Sequence, residues 1–153
     1  MKRLQHKIPP PIITLVIALM MWGLHLLLPI RSVNFSILFY FGILCILAGL
    51  SLDIVSFLDF RKSDTTVNPL SPERATSLVI EGFYRFTRNP MYLGMLLILI
   101  GIAMLFASLS SFILLPIFVV LMNSLQIIPE EQALEKIFSQ EYLDYKKKVR
   151  RWI

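Results

Sequence analysis

Long apolar runs separated by compact charged blocks dominate this chain. Apolar residues continue almost unbroken through Ile12–Leu28, Phe35–Leu58, Met91–Phe106 and Phe112–Ile128. A helix needs about 20 such residues to cross a hydrocarbon layer roughly 30 Å thick, so the pattern predicts about four spanning helices. The last two are short and are parted only by Ala107 to Ser111, which reads as a tight helical hairpin whose tip barely leaves the bilayer. The first run follows Lys2, Arg3 and Lys7, like a secretory signal, but Leu27-Leu28-Pro29-Ile30 offers no small-residue cleavage site. It is therefore read as a spanning helix.

Composition agrees with the pattern: 56% of the 153 residues are hydrophobic and only 16% are charged, the profile of an integral membrane protein. Fourteen of the fifteen Lys and Arg residues fall on one side of the predicted spans, Arg31 being the exception. Basic loops tend to remain cytoplasmic, so the expected topology has both termini in the cytoplasm, at the cytoplasmic (inner) membrane. The formal excess of +5 is assigned to orientation and to anionic headgroups, with membrane lipids rather than nucleic acid as its partner. Cys45 has no second cysteine to pair with, and His6 and His25 lack neighbours at metal-ligating spacing. No metal is expected.

The chain divides near Asp59, two spans before it and a polar segment to Asn89 after it, within one domain of residues 1–153. Thr65-Thr66-Val67-Asn68-Pro69 and Ser71-Pro72-Glu73 form turns, and the apolar, aromatic stretch Thr76 to Arg85 reads as ordered and docked. Asp53, about one turn before the end of the second span, is either interfacial or an inward-facing functional acid. In Arg88-Asn89-Pro90-x-Tyr92-x-Gly94, Pro90 suits the first turn of a helix and Asn89 its cap. Gly94 and Gly101 share a face where another helix or a flat ligand can approach closely. Pro129 is expected to start a new helix with Glu130 and Glu131 in its first turn. Leu134, Phe138, Tyr142, Tyr145 and Val149 then recur at spacings of three and four, giving an amphipathic cytoplasmic helix. The predicted fold class is an all-α polytopic membrane bundle completed by that carboxy-terminal helix.

Several of these strings occur together in order: Thr65–Pro69, Gly82-x-Tyr84-Arg85-x-Thr87-Arg88-Asn89-Pro90-Met91-Tyr92-x-Gly94, Glu130-Glu131 with the aromatic helix, and Arg151-Trp152. In this combination the region from Asp59 to Ile153 resembles the isoprenylcysteine carboxyl methyltransferase and phospholipid N-methyltransferase superfamily. The resemblance implies an enzyme that binds S-adenosylmethionine at the cytoplasmic membrane edge and takes a lipophilic substrate from the bilayer. It implies a cofactor site of Arg88, Asn89, Tyr92, Gly94, Glu130 and Glu131, closed by Tyr142, Tyr145 and Arg151. Acids would take the cofactor's ammonium or ribose, Arg88 its carboxylate, and Tyr92 its sulfonium or adenine. Methyl transfer is an in-line displacement, favoured by alignment in a water-poor site. A carboxylate or thiolate acceptor needs no general base. An amine does, and Asp53 and the glutamates are the acids on offer.

Asn89 stands where the eukaryotic carboxyl methyltransferases usually have His, and Arg150 where Pro is frequent. Both departures, with so few spans, widen the expected acceptors to a small lipid, isoprenoid, phenol or thiol. Two other readings compete. A sterol-reductase-type membrane reductase would hold a nicotinamide dinucleotide with Arg61, Lys62, Arg74 and Arg85, and a non-catalytic scaffold would bind neither cofactor.

Overall fold

The computed structural model describes residues 8–28, 35–62 and 76–153. The basic residues of the amino terminus, His6, Arg31, Arg74 and the turns expected at Thr65–Pro69 and Ser71–Glu73 lie outside the described residues. Within them the chain is all-α: α1 (Pro10–Leu27), α2 (Phe35–Lys62), a 3-10 turn (Gly82–Arg85), α3 (Pro90–Phe106), the single turn α4 (Leu109–Phe112), α5 (Leu114–Met122), a π-helical turn (Asn123–Ile127) and α6 (Ile128–Lys148). Three helical runs are long and apolar enough to cross a membrane, Pro10–Leu27, Ser36–Lys62 and Leu109–Lys148, and α3 is a shorter apolar helix among them. In the third run no charged residue precedes Glu130, so its spanning part ends at Ile128.

The bundle wears its apolar residues on the outside. Leu15, Leu19, Trp22 and Leu26 of α1 and Tyr40, Leu44, Leu47 and Ile54 of α2 are all exposed, as suits helices solvated by lipid. Inside, every fourth residue of α1 (Ile13, Ile17 and Met21) meets Leu99 of α3 and Leu114, Phe118 and Met122 of α5. α2 joins by a different device. A Cβ on Gly49 would lie 2.6 Å from the carbonyl oxygen of Gly94, and one on Gly101 would lie 2.5 Å from that of Gly42. Both distances are too short for any side chain, so the antiparallel helices α2 and α3 touch backbone to backbone at two glycine pairs. Close helix approach accounts for Gly94 and Gly101; their mates Gly42 and Gly49 repeat the same seven-residue spacing.

At the hairpin tip, Ala107 ends α3 in the left-handed conformation (φ 46°). Ser110 then donates to the carbonyl of Leu28 (2.9 Å), and Ser111 to that of Met21 (3.3 Å). At the other end, Gln126 donates to the carbonyl of Ile8 (2.6 Å), setting the start of α1 beside the start of α6.

Two sequence expectations are corrected here. Pro129 does not open a separate helix, because α5 continues through the π turn directly into α6. A proline inside a helix lacks an N–H and crowds the preceding turn, and the wider π turn immediately before it absorbs that misfit. The break comes instead at Ser139, with φ 44° and ψ −114°. There the amphipathic helix folds back on itself. Glu135 and Lys146 pair across the bend, although eleven residues of straight helix would hold them about 16 Å apart.

Candidate functional site

The fold-back returns the end of the chain to the beginning of α3. Thr87 and Arg150 form an isolated parallel bridge, and the backbone N–H of Arg88 donates to the carbonyl of Arg150 (3.0 Å). Asn89 Nδ2 and Thr87 Oγ1 both donate to the carbonyl of Arg151, at 2.9 and 3.2 Å. Asn89 makes no side-chain cap on α3; its side chain is turned so that the amide nitrogen meets this tail carbonyl, and the expected first-turn proline is in place. Trp152 Nε1 donates to Asn123 Oδ1 in the π turn (3.2 Å). The aromatic face of α6 is covered by the protein's own segment: Tyr142, Tyr145 and Val149 pack with Leu78, Leu134 and Phe138, and the Tyr145 hydroxyl donates to the carbonyl of Tyr84 (2.6 Å).

Within this frame two arginines converge on one glutamate. Arg88 donates to Glu131 Oε1 (2.7 Å), and Arg151 donates to both Glu131 oxygens through Nε (3.0 Å) and a terminal nitrogen (2.6 Å). Arg88 also holds the carbonyls of Lys146 (3.3 Å) and Val149 (3.2 Å), while its Nε is buried without a partner among the described residues. The side chains of Arg88 and Glu131 are 9% and 8% exposed, against 35% for Arg151, so the inner pair is sealed and the outer arginine faces outward. Beside them Tyr92 donates to Glu130 Oε2 (3.0 Å).

The neighbouring carboxylates are driven in opposite directions. Burial alone would raise Glu131, but hydrogen bonds from Arg151 and the charges of both arginines hold it below its ordinary value. Glu130 is raised to about 7 by burial, against the lowering effect of the Tyr92 bond and with a further push from Glu131. Arg151 is raised by its bond to Glu131. Tyr84 is pushed well up, first by burial and then by Glu130, Tyr145, Asp59 and Asp53. Two adjacent acids with separated titrations can play different parts: one is locked as an anion and one is poised near neutrality.

Residues 37–141 match the family described as phospholipid methyltransferase. The chain belongs to that family. A protein of Haemophilus influenzae (strain ATCC 51907 / DSM 11121 / KW20 / Rd), named only as an uncharacterized protein, is 41% identical over 63 residues, covering 41% of this chain and 100% of the relative. No solved structure matches significantly.

In this phospholipid methyltransferase family member, a membrane methyltransferase by family, the expected site residues separate into groups. Arg88, Asn89, Glu131 and Arg151 form one network, with the Tyr92–Glu130 bond beside it. Tyr142 and Tyr145 pack on the folded-back half of α6. Gly94 faces the opposite way, with the Asp53 carboxylate filling the space where its side chain would stand. Arg61, Lys62 and Arg85 are exposed, and none joins the Arg88–Glu131 network. Thr87 was part of the motif string but was given no role, and Asn123 and the carbonyls of Lys146 and Val149 were not singled out from sequence. Thr87 and Asn123 are ordinary polar residues there, and every residue has a carbonyl.

Proposed function

We propose that this chain transfers a methyl group from S-adenosylmethionine to a small or lipophilic acceptor at the membrane edge where Arg88, Tyr92, Glu130, Glu131 and Arg151 meet. One observation carries the reading: in a member of the phospholipid methyltransferase family, side chains from three distant stretches of sequence meet at that edge in two adjoining hydrogen-bonded groups of opposite charges. The basic residues gathered toward that edge argue that it faces the cytoplasm, with both termini there, in an inner membrane.

S-adenosylmethionine supplies a sulfonium-bound methyl group together with an ammonium and a carboxylate. The residues fit such a ligand. Glu130 has one hydrogen bond, from Tyr92, and keeps acceptor capacity for the ammonium or ribose. Glu131 is already bonded by both arginines, so its part is to hold them. The carboxylate falls to the outward Arg151, with the charge of Arg88 behind it. Tyr92 offers its ring face to a cation while its hydroxyl fixes Glu130. Asn89 and Thr87 clamp the tail that carries Arg151.

Calorimetric titration of the detergent-purified chain with S-adenosylmethionine, S-adenosylhomocysteine and NADPH tests the proposal. Glu130→Gln is the better control because Glu131 also holds the fold. Saturable binding of the first two ligands, weakened roughly tenfold (about 1.4 kcal/mol) in the variant, is the expected result. NADPH binding alone would replace this reading with the reductase, and no binding at all with the scaffold.

A further inference from the structure

Asp53 and Ser56 lie outside the charged network. Counting from Gly49, which meets Gly94 across the seam, they fall at i+4 and i+7 and so share the face of α2 turned to α3. Ser56 is completely buried, and both Ser56 Oγ and Asp53 Oδ1 are buried without a hydrogen-bond partner among the described residues. Asp53 as a residue remains partly exposed, so the pair reaches the bundle surface at Asp53 while Ser56 lies beneath it. One turn further on, Phe60 meets the ring of Tyr84 edge-on at 5.5 Å, which ties this end of α2 to the wall of the candidate site.

Helix packing alone would not build this arrangement. The absence of a side chain at Gly94 admits a carboxylate that bonds to nothing with its buried oxygen, and inside a membrane such groups mark binding or transfer sites. An oxygen of that kind calls for a hydrogen-bond donor. It repels a second carboxylate.

We propose that Asp53 and Ser56 form the headgroup subsite for a membrane-dissolved acceptor whose reacting end carries hydrogen on nitrogen or oxygen, and that they exclude acceptors ending in a carboxylate. The subsite rests on the methyltransferase reading only in calling its occupant the methyl acceptor. Asp53 receives the hydrogen bond and Ser56 orients the group from one turn away.

The test uses the full chain in nanodiscs, titrated with dodecylamine, dodecanol or dodecanoate, and native mass spectrometry to count bound amphiphiles. A single saturable adduct is expected with the amine and the alcohol, and roughly tenfold weaker binding of dodecanoate. Asp53→Asn should weaken the amine adduct about tenfold and Ser56→Ala the alcohol adduct about threefold. Equal binding of dodecanoate, or adducts unchanged in both variants, would overturn the proposal; if Asp53→Asn fails to fold, unchanged adducts in Ser56→Ala alone suffice. S-adenosylmethionine titrated into the same preparations separates the two readings. Were it not to bind while the amine adduct still required Asp53, the subsite would stand and the methyltransferase reading would fall; cofactor binding with adducts indifferent to Asp53 and Ser56 would mean the reverse.

Discussion

The two ends of this bundle face the same structural problem and solve it with different chemistry. At the hairpin tip, Ser110 and Ser111 satisfy carbonyls of Leu28 and Met21, and Ser108 and Ser110 hydrogen-bond each other at 2.8 Å. Neutral hydroxyls are enough there. At the opposite end, carbonyls of comparable kind, those of Lys146, Val149 and Arg151, are held by a buried arginine, a threonine and an asparagine, with a second arginine and a glutamate locked behind them. Burying full charges is costly, and a buried ion pair by itself is weak evidence of stabilisation. The contrast sets a charged network at one end against neutral hydroxyls at the other, a difference that the proposed cofactor site accounts for and helix closure alone does not require.

The largest effect that would break this comparison is Glu131→Ala, which leaves two arginines without their shared carboxylate. Loss of about 3–5 kcal/mol is expected, read from reversible unfolding in mixed micelles, together with release of the tail. Arg151→Ala should cost less, about 1–2 kcal/mol, because that side chain is 35% exposed and Arg88 remains paired; a cost equal to that of Glu131→Ala would show that the two arginines are not distinct in role. Ser110→Ala at the tip should cost about 1 kcal/mol and leave cofactor binding untouched, which sharpens the division between a structural end and a chemical one.

Glu130→Gln is set apart from these by its signature, which is pH dependence. Glu130 is raised to about 7 in the folded chain from an ordinary 4.5, so between those values the folded state holds a proton that the unfolded state has released. Stability contributed at this residue therefore falls as pH rises from about 4.5 to about 7 and is level beyond. Ligand binding should run the other way, since an ammonium needs the ionised form: affinity rises through about pH 7. Both trends should vanish in Glu130→Gln. Calorimetry across that range checks them, and a cofactor affinity that is flat with pH would remove Glu130 from the ammonium.

The spans were legible because lipid exposure leaves whole helices apolar, and each expected run has its helix, α2 extending to Lys62 and α3 beginning at Pro90. The kinship of the site strings was legible from their order and spacing. The division of labour between Glu130 and Glu131 was not, since adjacent identical residues differ only in what meets them in space. Asn89 looked like a helix cap because the local sequence permits one; a carbonyl 62 residues away took its amide instead. The bend was hidden because Ser139 is no proline or glycine, the residues that usually announce a break. Gly94 allowed either a packed helix or a flat ligand; the helix it meets, through Gly49 and Asp53, could not be named because nothing in the sequence pairs those positions with it.

The paired glycines between α2 and α3 also act as a vernier. Gly42 stands opposite Gly101 and Gly49 opposite Gly94, seven residues apart on each helix. A slide of the helices by any smaller step would drive a side chain into a facing carbonyl. The next permitted register lies about 10 Å away and keeps only one glycine pair in contact. The depth of Asp53 below the membrane edge is therefore set in discrete notches, and gradual drift along the helix axis is forbidden to it.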